Sequence, residues 1–183
     1  MAQYNGYVSV PHATYDEFKN ATYGNGYNVD GYYGNQCWDF CALLWWQYGL
    51  TLYTGTRGYA KECWTQSRTR NAVGPFIAVE GRENILRGDC VVFNSSTANG
   101  TGHIAFADQD WSQNRNGYLD FLGQNQGQGS GNPSNIAPLG TGLFLGIFRN
   151  TDWDGTPPTP PIPHHKGKGK FPFYIIARKR RDR

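Results

Sequence analysis

The spacing of apolar residues changes its period near Phe76, and this change constrains the fold more than any other feature of the chain. Before it, apolar residues recur at helical spacing over residues 35–48, and Gly49 is a natural helix stop. After it, a period near two predicts five strands, over residues 76–79, 90–93, 103–107, 117–122 and 143–148. Helices first and a mainly antiparallel sheet second predict an α+β fold.

Shorter elements are predicted on both sides of the long helix. Residues 11–23 and 58–68 each suit a short helix. Residues 123–141 are rich in Gly, Gln, Asn and Ser and have no apolar period, so we expect a long loop there. Loops of this length usually carry function.

The 183 residues suit one domain with a core, followed by a tail. We predict a folded domain over residues 1–155, a proline-rich, semi-rigid linker over 156–165 and a basic tail over 166–183. The tail carries eight basic residues and one acidic residue, whereas the rest of the chain carries 9 basic and 13 acidic residues. The domain is therefore not expected to bind a specific nucleic acid, while the tail suits a polyanion.

Cysteine spacing predicts the oxidation state of the thiols, and hydropathy predicts whether the chain crosses a membrane. Four cysteines are present, Cys37, Cys41, Cys63 and Cys90, which is enough for two disulfides or a metal site. Cys37 and Cys41 are one helical turn apart, and no second close pair completes a zinc pattern, so we expect all four to be reduced. No stretch approaches the roughly 20 apolar residues of a membrane span, and no signal-peptide pattern is visible at the N-terminus.

Oxygen donors recur before the long helix with the spacing of a calcium-binding loop. Counting from the first donor, positions one, three, five, seven and twelve are Asn28, Asp30, Tyr32, Gly34 and Asp39. Tyr33 stands where an EF-hand has glycine, so a plain EF-hand is not expected. With only two carboxylates, we expect weak Ca²⁺ binding, on the order of 10⁻⁴ M or poorer. The alternative is that Asn28 and Asp30 only cap a turn.

Cys37 falls in the first turn of the long predicted helix. The positive end of the helix dipole favours a thiolate and lowers the pKa of a thiol below its free value of about 8.5. A partly exposed cysteine in such a place suits a nucleophile. The alternative is a small apolar residue buried at a helix start, which is a common fate of cysteine.

His103 opens a predicted strand and is the one histidine within the predicted sheet. It is a candidate base for Cys37, and the alternative is a half-buried structural histidine. A catalytic imidazole needs an orienting group at its second nitrogen. Asn125, at the end of the next strand, is a candidate for this role. Asp120 is an alternative, but strand alternation points its side chain to the opposite face.

Four motifs occur together in the order seen in CHAP domains, the cysteine- and histidine-dependent amidohydrolases/peptidases of phage lysins and bacterial wall hydrolases. They are GNQCWDF at 34–40, RGDCVVF at 87–93, GHIA at 102–105 and QN at 124–125. The chain resembles this family over about residues 10–150. Each motif alone is weak, and the combination is specific.

The resemblance implies a papain-like fold, with N-terminal helices packed on the sheet, and hydrolysis of peptidoglycan amide bonds. Cys37 matches the nucleophile, His103 the base and Asn125 the polar orienter. Many relatives have a glutamate two residues before this asparagine, where the present chain has Gly123, so another residue such as Asp120 would supply that group. Gln36, or the Cys37 amide, is implied to hold the oxyanion.

The resemblance also implies ligands and a biological setting. Some phage relatives bind calcium before the cysteine, at positions matched by the five donors above, and no organic cofactor is expected. Trp38, Trp111 and the loop 123–141 are candidates to hold the glycan or the stem peptide. The expected protein is a phage endolysin or a tail-associated lysin, held in the virion or the host cytoplasm until it reaches the wall. The alternative is a structural tail-tip component that binds or plugs the wall with little or no catalysis. Residues 156–183 are expected to contact phage tail proteins.

Overall fold

A computed structural model describes residues 13–97, 100–127 and 131–154 of the chain. The predicted proline-rich linker (156–165) and basic tail (166–183) fall outside these described residues.

Four helices lie in the first half of the described chain. They are α1 (Tyr15–Thr22), α2 (Cys37–Gln47), α3 (Glu62–Thr65) and α4 (Arg68–Asn71). Helix α1 begins after Thr14, whose side chain accepts a hydrogen bond from the Glu17 N–H. Nine of the eleven residues of α2 are buried. A helix that is apolar on nearly all sides belongs inside a fold, and α2 packs against the third strand of the sheet.

Six strands form one antiparallel sheet. They are β1 (Phe76–Val79), β2 (Cys90–Phe93), β3 (His103–Ala107), β4 (Tyr118–Gly123), β5 (Asn135–Gly140) and β6 (Phe144–Asn150). Their order in the sheet is β1-β6-β2-β3-β4-β5, and each neighbouring pair is antiparallel. The predicted α+β fold is confirmed.

Strand β5 is the element that the sequence analysis missed, because residues 123–141 were expected to form a loop throughout. It pairs with β4 over six residues at the edge of the sheet, and Pro138 faces Asp120 in that pairing. A proline is tolerated on an edge strand, where its missing N–H leaves no neighbour unpaired. Such a strand lacks the alternating apolar pattern that identifies a half-buried one.

The two faces of the sheet bury different clusters. The larger cluster joins the helices to the sheet and contains Phe18, Phe40 and Phe106. Trp45 stacks on Phe76 there, with ring centroids 3.9 Å apart. The smaller cluster covers the other face and includes Phe121. The functional residues described below lie where the first turn of α2 meets the beginning of β3.

The four cysteines are all buried and free, so the prediction of reduced thiols is confirmed. Among the described residues, no helix combines the length and the apolar character that a membrane span requires.

Candidate active site

Cys37 and His103 stand at the first positions of two regular elements. Cys37 is the first residue of α2, whose start is fixed by Asp39, because the Asp39 carboxylate accepts the Gln36 N–H at 3.1 Å. His103 is the first residue of β3. Gly102 before it has a φ of 73°, and a Cβ there would collide with the Phe93 carbonyl oxygen. This glycine therefore lets the chain enter the strand with His103 facing the helix start.

The two side chains act on each other electrostatically. Burial on its own would raise the pKa of the Cys37 thiol, but the interaction with His103 and the N–H groups of Ile104 and Trp38 outweigh it, so that this pKa is lowered. Burial would lower the pKa of His103, and the Cys37 thiolate, assisted by Gln126, raises it instead. These opposite shifts favour a thiolate–imidazolium pair. Only 9% of the Cys37 surface is exposed.

The pair lines an open cleft with a volume of about 800 Å³. Aromatic, polar and cationic side chains surround it; among them are Tyr32, Tyr33, Trp38, Arg57, Tyr59 and Asn125. Trp38 thus lies where it was predicted. Trp111 does not line the cleft, because it packs beside the smaller cluster on the other face of the sheet.

The predicted contact between Asn125 and His103 is wrong. Asn125 Nδ2 donates to Gln36 Oε1 at 2.9 Å, and Asn125 Oδ1 accepts the Gly131 N–H at 2.9 Å. The residue has a φ of 54°, in the left-handed region, so the alternation of β4 does not continue through it. Asp120, the alternative orienter, is not among the residues that line the cleft.

Gln126 occupies the position that was expected of Asn125. Its Oε1 lies 3.0 Å from His103 Nε2. Sequence reasoning missed this residue, because it follows the strand and a left-handed residue. The available signal was the run of three side-chain amides, Gln124-Asn125-Gln126, directly after β4.

The three amides of this run hold three different parts of the site. Gln124 is buried and bonds both the N–H and the carbonyl of Tyr27, at 2.6 and 2.9 Å, and the Gln36 carbonyl at 3.0 Å. Asn125 fixes the Gln36 side chain, and Gln126 contacts His103. The segment after β4 therefore ties the start of α2 to the start of β3.

The five predicted cation ligands lie in or directly beside the pre-helix loop (residues 28–35). Asp39 is 1% exposed, and its Oδ1 accepts the N–H groups of Val29 and Asp30 at 2.8 and 3.2 Å. Burial, reinforced by the Asp30 charge, raises the pKa of Asp39 to about 6 despite these donors. Asp30 accepts the Tyr32 N–H at 2.8 Å. The buried Asn28 Oδ1 has no hydrogen-bond partner.

Asp30 and Asp39 are the only carboxylates in this ligand set, and nowhere in the described chain do three or more His, Cys, Asp or Glu side chains form a metal cluster. A cation here would rely mainly on neutral oxygens. The unpartnered Asn28 oxygen and the buried Asp39 carboxylate fit such a cation, since it would supply the missing partner and offset the buried charge.

Gln36 lies beside Cys37 at the wall of the cleft. Its Nε2 donates to the Tyr33 carbonyl at 2.7 Å, which leaves the second amide hydrogen for another acceptor. The backbone N–H of Cys37, at the first position of α2, has no partner inside the helix. Both donors are available for an oxyanion, and their role stays a prediction.

Known proteins resemble this chain in sequence and in fold. The family model of the CHAP domain matches residues 22–125. The chain is 36% identical over 126 residues to a D-alanyl-L-alanine endopeptidase of Streptococcus phage B30. The aligned region covers 65% of this chain and 26% of that relative. The chain thus spans about a quarter of the relative's length. The crystal structure of the wild-type endolysin LysIME-EF1 matches with a TM-score of 0.61 and 20% identity, over 75% of this chain and 64% of that one, which supports the fold alone.

Proposed function

The chain belongs to the CHAP domain family, and from this premise we propose that it is a cysteine-dependent peptidoglycan hydrolase that cleaves an amide bond of the bacterial cell wall. The observation that carries the proposal is the Cys37–His103 pair in an open cleft, with the pKa of the thiol lowered and that of the imidazole raised. This is the pairing that an activated cysteine nucleophile requires.

In the proposed reaction, His103 holds the proton of the Cys37 thiol, and the thiolate attacks the amide carbonyl carbon. The carbonyl oxygen becomes an oxyanion near the Cys37 N–H and the Gln36 amide. His103 then donates its proton to the leaving nitrogen, the C–N bond breaks, and a thioester remains. Water gives a proton to His103 and attacks the thioester, which releases the carboxylic acid and restores the thiol.

The relatives support the substrate class. The phage B30 protein is named as an endopeptidase, and the LysIME-EF1 protein as an endolysin. Both N-acetylmuramoyl-L-alanine amidases and peptidoglycan endopeptidases hydrolyse amides, and the name of the phage B30 relative favours the endopeptidase. Product analysis separates them: an amidase releases the amino group of the first stem-peptide residue, whereas an endopeptidase releases one within the peptide or its cross-bridge.

Catalysis is favoured over a purely structural tail-tip role. A domain that only binds or plugs the wall has no need of a thiol with a lowered pKa beside a buried imidazole. Contact of residues 156–183 with phage tail proteins, and residence in the virion or the host cytoplasm before lysis, stay predictions, since these residues are outside the described chain.

We also propose that Ca²⁺ binds at the pre-helix loop, through Asn28, Asp30, the carbonyl groups of Tyr32 and Gly34, and Asp39. Its support is the buried, unpartnered Asn28 oxygen and the buried Asp39 carboxyl with its raised pKa. When bound, the ion would supply positive charge that keeps Asp39 ionised. Asp39 accepts the N–H groups of Val29, Asp30 and Gln36, so it would hold the loop and the start of α2 together.

The proposed function is tested by the clearing of purified Gram-positive cell walls. We expect lysis by the wild type and none by His103→Ala or Cys37→Ala, with unchanged circular dichroism. New amino groups should appear in step with clearing. Clearing by a folded Cys37→Ala variant would refute the mechanism, and failure of the folded wild type on every wall chemotype would refute the function.

A further inference from the structure

The hydrogen bonds of the Gln126 side chain together fix the direction of its amide. It is 5% exposed and follows β4 by three residues. Its Nε2 donates to the Phe121 carbonyl at 2.8 Å and to the Asn135 carbonyl at 3.0 Å. Carbonyl oxygens only accept hydrogen bonds, so the NH₂ group must face them. The Gln126 Oε1 is thereby directed at His103 Nε2, 3.0 Å away.

This direction determines which nitrogen of His103 carries the proton. The amide Oε1 can only accept, so His103 Nε2 must be the donor. In the neutral imidazole, Nδ1 is then unprotonated. Since Nε2 is occupied by Gln126, Nδ1 is the nitrogen left for Cys37, with which His103 interacts. The neutral ring thus presents its basic nitrogen to the thiol, and after proton transfer the same Oε1 accepts from the imidazolium.

Gly123 leaves the space that the Gln126 amide fills. A Cβ on Gly123 would lie 2.7 Å from Gln126 Oε1 and 3.0 Å from the Ala105 Cβ. Gly123 is part of β4, and its φ is outside the left-handed region. The backbone there does not require glycine, so the reason for glycine is space. Any larger residue would push against the oxygen that faces His103.

We propose that Gln126 is the positioning residue of this site, which holds His103 in the Nε2–H tautomer, and that Gly123 is the residue that gives it room. The inference rests on the proposed function, because it assigns His103 the role of base toward Cys37. It differs from a purely structural role, in which Gln126 would serve only to join β4 to β5 through the two carbonyl contacts.

Two substitutions separate these roles. Gln126→Met keeps the volume and removes every hydrogen bond of the side chain. Gln126→Glu removes the donors to the Phe121 and Asn135 carbonyls and keeps an acceptor for His103 Nε2. A structural role predicts equal damage from both variants. A positioning role predicts that both lower the melting temperature, but that only Gln126→Met loses the tautomer and lowers kcat by roughly 100-fold with little change in KM.

The control is Gln47→Met. Gln47 is also buried, at 3% exposure, and neither atom of its amide has a hydrogen-bond partner. It ends α2, ten residues after Cys37, which places it about 15 Å along the helix. We expect the kcat and the His103 tautomer of the Gln47→Met variant to match those of the protein with Gln47.

The ring of the ion pair is protonated at both nitrogens, so the tautomer is read from the ¹⁵N chemical shifts of the neutral His103 ring, in histidine-labelled protein in which Cys37 is alanine. The ion pair is read from the pH profile of Cys37 alkylation by iodoacetamide. We expect the protein with Gln126 to show Nε2–H, the Met variant to lose this preference, and the Glu variant to keep it. The alkaline limit of the thiolate–imidazolium pair should move down in pH for Met and up for Glu, because a carboxylate stabilises the imidazolium.

A double-mutant cycle tests Gly123. Gly123→Ala should lower kcat when Gln126 is present and should cost little more when Gln126 is already alanine, because the atom that Cβ meets is then gone. Additive losses would overturn the role of Gly123, and equal tautomers and pH limits in the Met and Glu variants would overturn that of Gln126. Because alkylation and ¹⁵N shifts need no substrate, a wild type that fails to clear walls but shows these effects would refute the proposed function and leave the positioning role standing.

Discussion

On one side of the cleft, Cys37 and His103 occupy the first positions of α2 and β3, and buried side-chain amides hold the surrounding backbone. On the other side, the pre-helix loop presents Tyr32 and Tyr33, and Tyr33 is 90% exposed with a φ of 58°. The first side has one arrangement enforced by packing. The second is held by a few hydrogen bonds to carboxylates, among them those that Asp39 accepts. The rigid side suits the chemistry, whereas the loop suits contact with a large substrate and is the place of the proposed cation.

The largest expected effect comes from removing the nucleophile, which lies on the rigid side of the cleft. Cys37→Ala should reduce wall lysis by at least about 1,000-fold, since the thioester cannot form. Alanine at Cys41 or Cys63 should leave lysis intact, because burial raises the pKa of both thiols and makes them poor nucleophiles. These two substitutions should instead change the free energy of unfolding, by about 1 kcal/mol.

Alkylation of the native protein checks this difference. Iodoacetamide near neutral pH should modify Cys37 before any other cysteine, as read by peptide mass spectrometry, and lysis should be lost in proportion. Modification of Cys41 or Cys63 at the same rate as Cys37 would show that the thiol of Cys37 is not specially activated.

The cation proposal tests the loop side. The folded state holds the Asp39 proton more tightly than the unfolded state, because the pKa of Asp39 is raised to about 6 from an ordinary 3.8. Without Ca²⁺, stability should therefore fall as pH rises from about 4 to about 6 and then level off. Millimolar Ca²⁺ should raise the melting temperature by about 5 °C at pH 7 and much less at pH 4.5, where Asp39 is protonated.

Asp39→Asn should remove both this pH dependence and the response to calcium, while Asp120→Asn, an acid outside the cleft, should change neither. Chelation should slow lysis by the wild type, and Mg²⁺ should restore it less well than Ca²⁺, because Mg²⁺ demands tight octahedral geometry. A melting temperature that does not change with Ca²⁺ at pH 7 would refute the cation site, and Asn28 and Asp30 would then only cap a turn.

The sequence was sufficient for the elements with a strong period. The apolar pattern of α2 places Cys37 in the first turn of its helix, and the short apolar run of β3 places His103 at the start of its strand, as the structure has them. Two features were out of reach. The edge strand β5 contains a proline and little alternation, and the left-handed Asn125 interrupts the periodicity that was used to assign an orienter. Periodicity predicts a side chain's direction only while the backbone keeps one conformation.

Asn125 joins the start of α2 to the segment after β4, since it bonds Gln36 and Gly131. Asn125→Ala should leave the His103 tautomer unchanged, because His103 bonds Gln126 instead. We expect a loss of lysis of several-fold, roughly 1 kcal/mol, through a less ordered Gln36. Kinetics with ¹⁵N shifts of His103 check this: a changed tautomer would return the orienting role to Asn125.

The smallest expected effect concerns Tyr33, whose left-handed backbone conformation is unfavourable for a residue with a side chain by about 1–2 kcal/mol. Tyr33→Gly relieves this strain but also gains freedom in the unfolded chain, so we expect a net stabilisation of only about 0.5 kcal/mol. Tyr32, its neighbour, is also exposed but is not left-handed, so Tyr32→Gly should destabilise the protein by a similar amount.

The difference between the two glycine variants, about 1 kcal/mol in chemical denaturation, therefore isolates the backbone strain from the entropy of glycine, which is common to both. Strain that persists in an exposed tyrosine suggests that the ring is used. The more stable Tyr33→Gly variant should accordingly lyse walls several-fold more slowly, with the loss in KM rather than in kcat, because the ring is on the loop side and away from the reacting atoms. Unchanged lysis by a stabilised Tyr33→Gly variant would show that the loop contributes to folding alone, and that the cleft recognises its substrate from the rigid side.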